Sequence, residues 1–436
     1  MLINDLNISN KGYLPPIIGR IKSIQGNIIS AYLPSSCIGD LCYIENLNKE
    51  NIMAEIVSFD EELVKLSVFE NINNIFPNAI IKNTRRKLQI PFSTEDGNLI
   101  IDAIGNNLRS ETKKNIFIEL DNTPPPPLNR KVITEIMETG VSAIDGVCSI
   151  GRGQRVGLFA PPGVGKSTLL GMICKNSKAD INIVALVGER GREVNDFLQN
   201  TLGSEGLKNT ILVVSTSDEN SMLRATAPVT ATAIAEYFRS KGKDVLLMID
   251  SLTRYARAKR EIGLSAGEMP IRQGYPPSLY TDLAKLVERA GTSDKGSITA
   301  IYTVLENDEK DIDPLSEEVK SLLDGHIVLK KSIADNGIRP SISLLDSTSR
   351  LIDKIHTKEY LKTISTIRKI LTILNKEKEL LLLGASPSKE LQVALKLENR
   401  LNSLLNQGVN EKRDFNATLN EFSNISVEFN KLLSGN

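Results

Sequence analysis

A chain of 436 residues is long enough for two or three domains with sizeable cores. Its 53 basic and 53 acidic side chains cancel, which excludes a global field that would recruit nucleic acid or acidic lipid. With only His326 and His356, histidine-based metal or nucleophile chemistry is all but excluded, and the cysteines carry no metal spacing.

The N-terminus, Met1-Leu-Ile-Asn-Asp-Leu-Asn7, lacks a basic stretch and a long apolar run, so no signal peptide is read there. No segment approaches the roughly 18 apolar residues of a spanning helix, and the expected location is the cytoplasm. Cys37, Cys42, Cys148 and Cys174 are expected as free thiols of a reducing compartment, a Cys37–Cys42 pair being the alternative.

Residues 1–85 read as all-β. Ile18–Ile24, Asn27–Leu33, Ala54–Phe59 and Leu63–Phe69 are short, β-branched and partly alternating, with turns of Gly, Pro, Asn or Asp between them. A small barrel would close such strands without leaving edges. The stretch from 86 to about 130 is weakly patterned and ends in Pro124–Pro127, a stiff connector.

From about 140 to 330 near-continuous apolar strands (Asn182–Val187, Thr210–Ser215, Val245–Ile249, Ile298–Val304) alternate with helical stretches. That pattern predicts α/β architecture, a parallel sheet covered on both faces. Within it, Ala160-Pro-Pro-Gly-Val-Gly-Lys166-Ser167-Thr168 sits between a strand, Arg155–Phe159, and a helix, Ser167–Ile173. A turn in that setting aims backbone N–H groups and a helix N-terminus at a polyphosphate. Lys166 would reach the β- and γ-phosphates, and the Ser167 hydroxyl would sit on Mg²⁺. Ala160 takes the place of the motif's first Gly, a small-for-small exchange.

The strand Val245–Ile249 ends in Asp250, where a carboxylate meets the ligand crevice and would hold Mg²⁺ through water. Hydrolysis also needs a group to orient water. Ser251 occupies the place where some nucleotide motors carry a Glu, which leaves Glu189 at the end of Val184–Gly188 for that work. Arg190 would help neutralise oxygen charge, and Arg254, one helical turn past Asp250, could face the same phosphates. The competing interpretations are a surface Glu-Arg turn and a solvated helix charge. Arg350 in Asp346-Ser-Thr-Ser-Arg350 is the candidate arginine finger, although spacing alone does not separate it from another loop arginine. In the helical tail, Phe415, Leu419, Phe422, Ile425, Phe429 and Leu433 make one apolar stripe, which predicts packing within the domain, with a partner groove as the alternative.

Several blocks follow one another in a recognisable order: Thr139-Gly-Val-Ser-Ala-Ile-Asp145, Gly153-Gln-Arg-Val-Gly157, the phosphate loop, Gly188-Glu-Arg-Gly-Arg-Glu-Val194, Asp250-Ser-Leu-Thr-Arg-Tyr-Ala256, Gly274-Tyr-Pro-Pro-Ser278, Gly296-Ser-Ile-Thr-Ala300 and Leu323-Asp-Gly-His-Ile-Val-Leu329. Together they resemble the ATPases of type III protein secretion, the injectisome and flagellar export motors, themselves similar to the catalytic subunit of rotary ATP synthases. The resemblance implies a RecA-like P-loop ATPase core with an N-terminal small β-barrel and a C-terminal helical domain. It divides the chain into 1–85 for oligomerisation and regulator contact, 86–350 for ATP hydrolysis, and 351–436 for chaperone, cargo and stalk contact.

It also implies that Pro162, Gly163, Val164, Gly165, Lys166, Ser167 and Thr168 cradle ATP and Mg²⁺. Glu189 becomes the catalytic carboxylate, and Arg350 reaches the nucleotide of the next subunit in a homohexamer. Implied partners are stalk and stator or regulator proteins, chaperone–effector complexes and the export gate, at the cytoplasmic base of the apparatus and peripheral to the inner membrane. The short N-terminus, without a leading amphipathic helix, points to an injectisome rather than a flagellum.

Two departures stand out. Where the family has an aromatic residue before Pro to stack on adenine, this chain has Arg339-Pro340, and a guanidinium plane can take that stacking role. The Asp346-Ser-Thr-Ser segment is closer to the rotary synthase. Other possibilities are that synthase subunit, a non-catalytic ring subunit, against which Glu189 argues, and an RNA translocase similar to the Rho terminator. The last would need basic and aromatic stacking residues in the barrel, but residues 1–85 hold Tyr13, Tyr32, Tyr43, Phe59, Phe69 and Phe76 without a clustered basic motif.

Overall fold

The computed structural model describes residues 15–70, 72, 74–93, 98–109, 116–306, 313–382 and 386–434. The leading segment on which the injectisome preference was based lies outside the described residues. There are two compact units: the chain up to Gln89 with Glu119–Asp121 and Glu261–Met269, and the remainder.

In the first unit six strands, β1 (Ile17–Gln25), β2 (Ile28–Tyr32), β3 (Leu41–Glu45), β4 (Asn51–Asp60), β5 (Leu63–Val68) and β6 (Ile80–Asn83), form a closed barrel. The order is β1-β2-β5-β4-β3-β6, and β6 returns antiparallel to β1 with Gly19 opposite Ile81. Alternation explains the closure: Ile52, Ala54 and Ile56 of β4 point inward and meet Ile29, Ile44, Leu66 and Ile81. Each fully buried aliphatic side chain here contributes about 1.5–3 kcal/mol. β3 and β6 were not foreseen. They hold five and four residues, too few for a period-two signal to separate from a loop.

The core of the second unit is a nine-stranded sheet. Its order is Thr348–Ser349, Gly325–Val328, Arg155–Ala160, Ser297–Leu305, Asp244–Asp250, Ile181–Glu189, Thr210–Thr216 and Ile100–Asp102, with Gly291–Thr292 added beside Ser297–Leu305. Every pairing is parallel except those of the two-residue strands Thr348–Ser349 and Gly291–Thr292. Ile181–Glu189 is buried at all nine positions, as a strand covered on both faces must be. The edge strand Ile100–Asp102 corrects one expectation. It lies in the weakly patterned stretch before residue 130, yet joins the sheet beside Leu212–Val214.

The tail helices Lys358–Leu382, Lys389–Leu405 and Phe415–Ser434 share one core with the residues preceding the phosphate loop. Phe422, Ile425 and Phe429 are buried beside Val141, Ile144, Leu397 and Leu401. Gly146 permits the closest approach, since a Cβ there would stand 2.1 Å from the Phe422 ring. The apolar stripe is therefore spent on packing inside this unit. Among the described residues, no helix is long and apolar enough to cross a membrane.

Candidate active site

Four neighbouring parallel strands, Arg155–Ala160, Ser297–Leu305, Asp244–Asp250 and Ile181–Glu189, end together along one rim of the sheet. In open α/β sheets this rim is where ligands bind. The phosphate loop leaves Ala160, and its Gly163 and Gly165 take φ values of 80° and 95°, a region that favours glycine. Gly165 is also the N-cap of the helix Lys166–Asn176, and no side chain caps that end. The first-turn N–H groups and the helix dipole thus face the loop's interior, a ready anion site. A cleft of about 500 Å³ lies alongside, lined in part by Pro161, Glu306, Leu329 and Lys330.

Two carboxylates and two cations gather at this rim. Lys166 is ion-paired with Asp250, and its Nζ lies 3.8 Å from Glu189 Oε1. Arg254 Nη2 stands 3.1 Å from Glu189 Oε2, while Nη1 donates to the carbonyl of Gly188. Thr303 donates from Oγ1 to Asp250 Oδ1 at 2.7 Å. Burial, the negative charge of Asp250 and a hydrogen bond with Glu193 push the Glu189 carboxyl up to about 7, against the pull of Lys166 and Arg254. A carboxylate poised near neutrality is suited to take a proton from water.

That poise has a testable sign. Only the ionised form of Glu189 accepts a proton, so kcat/KM for ATP should drop about tenfold per unit as pH falls below about 7. A pH–rate profile across neutrality checks it. The same acid limb persisting in the residual activity of Glu189→Gln would assign the ionisation to another group.

The structure brings Lys166, Glu189, Asp250 and Arg254 together, with Gly163, Val164, Gly165, Ser167 and Thr168 on the loop and first turn beside them. Pro162 and Ser167 are exposed, and Val164 is buried. Arg190 is not part of the cluster. Its side chain is 67% exposed and pairs with Glu193 at 3.5 Å, because the chain turns outward into the helix Gly191–Asp196 immediately after Glu189. Arg339 Nη1 donates to the Val164 carbonyl at 3.3 Å, which places it on the loop itself. Arg350 is exposed and lies just beyond the edge strand Thr348–Ser349, with Nη2 3.5 Å from the carbonyl of Lys320. It touches none of the clustered groups. Sequence reasoning missed Thr303, whose signal was a polar residue near the carboxyl end of a buried strand.

Residues 140–349 match the model of the ATP synthase alpha/beta family, nucleotide-binding domain. The flagellum-specific ATP synthase of Bacillus subtilis (strain 168) is 42% identical over 400 residues, 90% of this chain and 91% of that one. The chain belongs to the flagellar and type III secretion ATPase family. Another relative, a type 3 secretion system ATPase of Xanthomonas euvesicatoria, is 38% identical over 369 residues, 84% of each chain. Among solved structures, the assembled ATPase EscN with its central stalk EscO, from the type III secretion system of enteropathogenic E. coli, superposes with a TM-score of 0.86. That similarity holds at 39% identity, over 94% of this chain and all of that one. Membership in this family makes the protein a nucleotide-binding ATPase, with the barrel, RecA-like core and terminal helices that the motifs implied.

Proposed function

We propose that this ATPase is a homohexameric ring motor that energises protein export through a type III secretion apparatus, releasing or unfolding chaperone-bound cargo. The observation that carries the reading is the meeting of Lys166, Asp250 and Glu189 beside a phosphate loop, in a chain of this family. Loop N–H groups and Lys166 bind and orient the triphosphate, and Glu189 positions the attacking water. Arg254 holds Glu189 from the side away from Lys166. Arg190 can neutralise oxygen charge only by swinging off Glu193, so we assign it no more than a secondary part.

Mg²⁺ fits the donors present. Among the described residues no group of three or more His, Cys, Asp or Glu could hold a metal. The Ser167 hydroxyl and the Asp250 carboxylate offer hard oxygens, and Mg²⁺ typically takes only one or two protein ligands beside phosphates and water. Such an ion neutralises charge on the β- and γ-oxygens.

Arg350, pointing outward from the sheet edge, is assigned to the nucleotide of a neighbouring copy. The assembled state of EscN and its solved complex with a central stalk support a ring and a stalk partner. We keep residues 1–85 for oligomerisation and regulator contact and 351–436 for chaperone, cargo and stalk contact. Stator proteins and the export gate complete the partners, at the cytoplasmic base of the apparatus beside the inner membrane. Arg339 is assigned to the base, by stacking.

Lys166→Ala tests the reading. Turnover should fall at least about 10²–10³-fold, and export should stop in cells whose own copy is replaced. Turnover near the wild-type rate would overturn it. The flagellar reading has support of its own in the Bacillus subtilis relative. Motility lost with effector secretion intact in the same replacement strain would select it.

A further inference from the structure

Outside the charged cluster, one of several buried and fully engaged polar side chains reaches toward the phosphate loop. Gln407 is 2% exposed and lies just beyond the helix Lys389–Leu405. Its Nε2 donates to the carbonyls of Gly140 at 2.7 Å and Glu411 at 2.9 Å, and its Oε1 accepts from the Ser142 N–H at 3.0 Å. Its own N–H donates to the Arg339 carbonyl at 2.6 Å, while the Arg339 N–H donates to Asn406 Oδ1 at 3.0 Å. Arg339 is thus clamped on both sides of its main chain.

The clamp ends on the phosphate loop. The Val164 carbonyl accepts from Arg339 Nη1 at 3.3 Å and from the buried Ser341 hydroxyl at 3.0 Å. In a planar trans peptide the carbonyl of one residue and the N–H of the next point opposite ways. Holding the Val164 oxygen outward therefore aims the Gly165 N–H into the loop, where a triphosphate would sit. The other end of the loop's helix is held by the same residue. Gly140, which Gln407 fixes, packs so tightly on Asn176 that a Cβ there would stand 2.4 Å from the Asn176 Cβ. Asn176 is the last residue of that helix.

We propose that Gln407, acting through Gly140 and the main chain of Arg339, is a positioning residue for ATP binding: it braces both ends of the phosphate-loop helix and, with Ser341, sets the orientation of the Val164–Gly165 peptide. The proposal rests on the ATPase reading above and names a further determinant of that same site.

Steady-state ATP kinetics of the full-length protein test it. Gln407→Ala, which removes its side-chain hydrogen bonds but leaves the main-chain bond to Arg339, should raise KM about tenfold, and Ser341→Ala, which removes one bond to Val164, about fivefold, with kcat within about threefold. Because Ser341 holds the Val164 carbonyl directly and Gln407 anchors the main chain that clamps Arg339 on the same carbonyl, the double variant should raise KM by less than the product of the singles. Arg400→Ala, which removes exposed ion pairs with Glu421 and Glu428 on the same helices, should lower the melting temperature and leave KM alone. Unchanged KM in Ser341→Ala, strict multiplication in the double variant, or an equal KM rise in Arg400→Ala would each overturn the brace. Ser341→Ala carries the test if Gln407→Ala does not fold. A wild-type chain without turnover would instead sink the ATPase reading itself.

Discussion

Glu189→Gln is expected to keep ATP and to lose turnover by about 10²–10⁴-fold, the usual worth of a positioned proton acceptor. The amide matches the carboxylate in shape and can still accept from Arg254, which lies 3.1 Å away. It cannot take a proton from water. Binding should survive, because the change removes a negative charge next to Lys166 and so lessens repulsion of an anionic triphosphate. Stability should not suffer either, since the native site already disfavours ionisation here. Equilibrium binding of an ATP analogue, set beside single-turnover hydrolysis, separates the two effects. Turnover within about threefold of wild type would remove Glu189 from the chemistry.

Arg350→Ala should be at least as damaging, by a different route. An arginine finger contributes about 10³–10⁵ in rate, or roughly 4–7 kcal/mol of barrier at about 1.36 kcal/mol per tenfold. The side chain is exposed and, among the described residues, its one hydrogen bond is to the Lys320 carbonyl, so the folded monomer should lose little. If Arg350 serves the neighbour's site, mixing Arg350→Ala protein with Glu189→Gln protein should restore part of the activity. Some interfaces would then pair an intact Glu189 with an intact Arg350. Rings shown to contain both variants, yet without activity, would place the finger elsewhere.

These two residues also mark how far the sequence could be read. The phosphate loop, Asp250 and Glu189 were legible because each ends an apolar strand, and four such strands in a parallel sheet must end on one rim. Arg254 followed from one helical turn. Arg190 did not, since nothing in a Glu-Arg pair tells which side chain follows the strand inward and which follows the next helix outward. The Ser341 and Gln407 contacts were invisible for a plainer reason. They join positions 177 and 267 residues apart, to Val164 and Gly140, and no local pattern encodes such pairing. Among the strands missed, Leu41–Glu45, Ile80–Asn83 and Ile100–Asp102 hold only three to five residues, where alternation is hard to tell from a loop.

The barrel's circular pairing, with Ile80–Asn83 back against Ile17–Gln25, bears on how copies of the chain can cohere. Among the described residues the main-chain groups of its six strands are committed to one another, so these strands have no free edge ladder to lend to an arriving molecule. Adhesion through the barrel strands would then rest on their side chains. Such adhesion responds to ionic strength and to single charge reversals, which would make assembly here reversible and tunable by a regulator, unlike strand exchange.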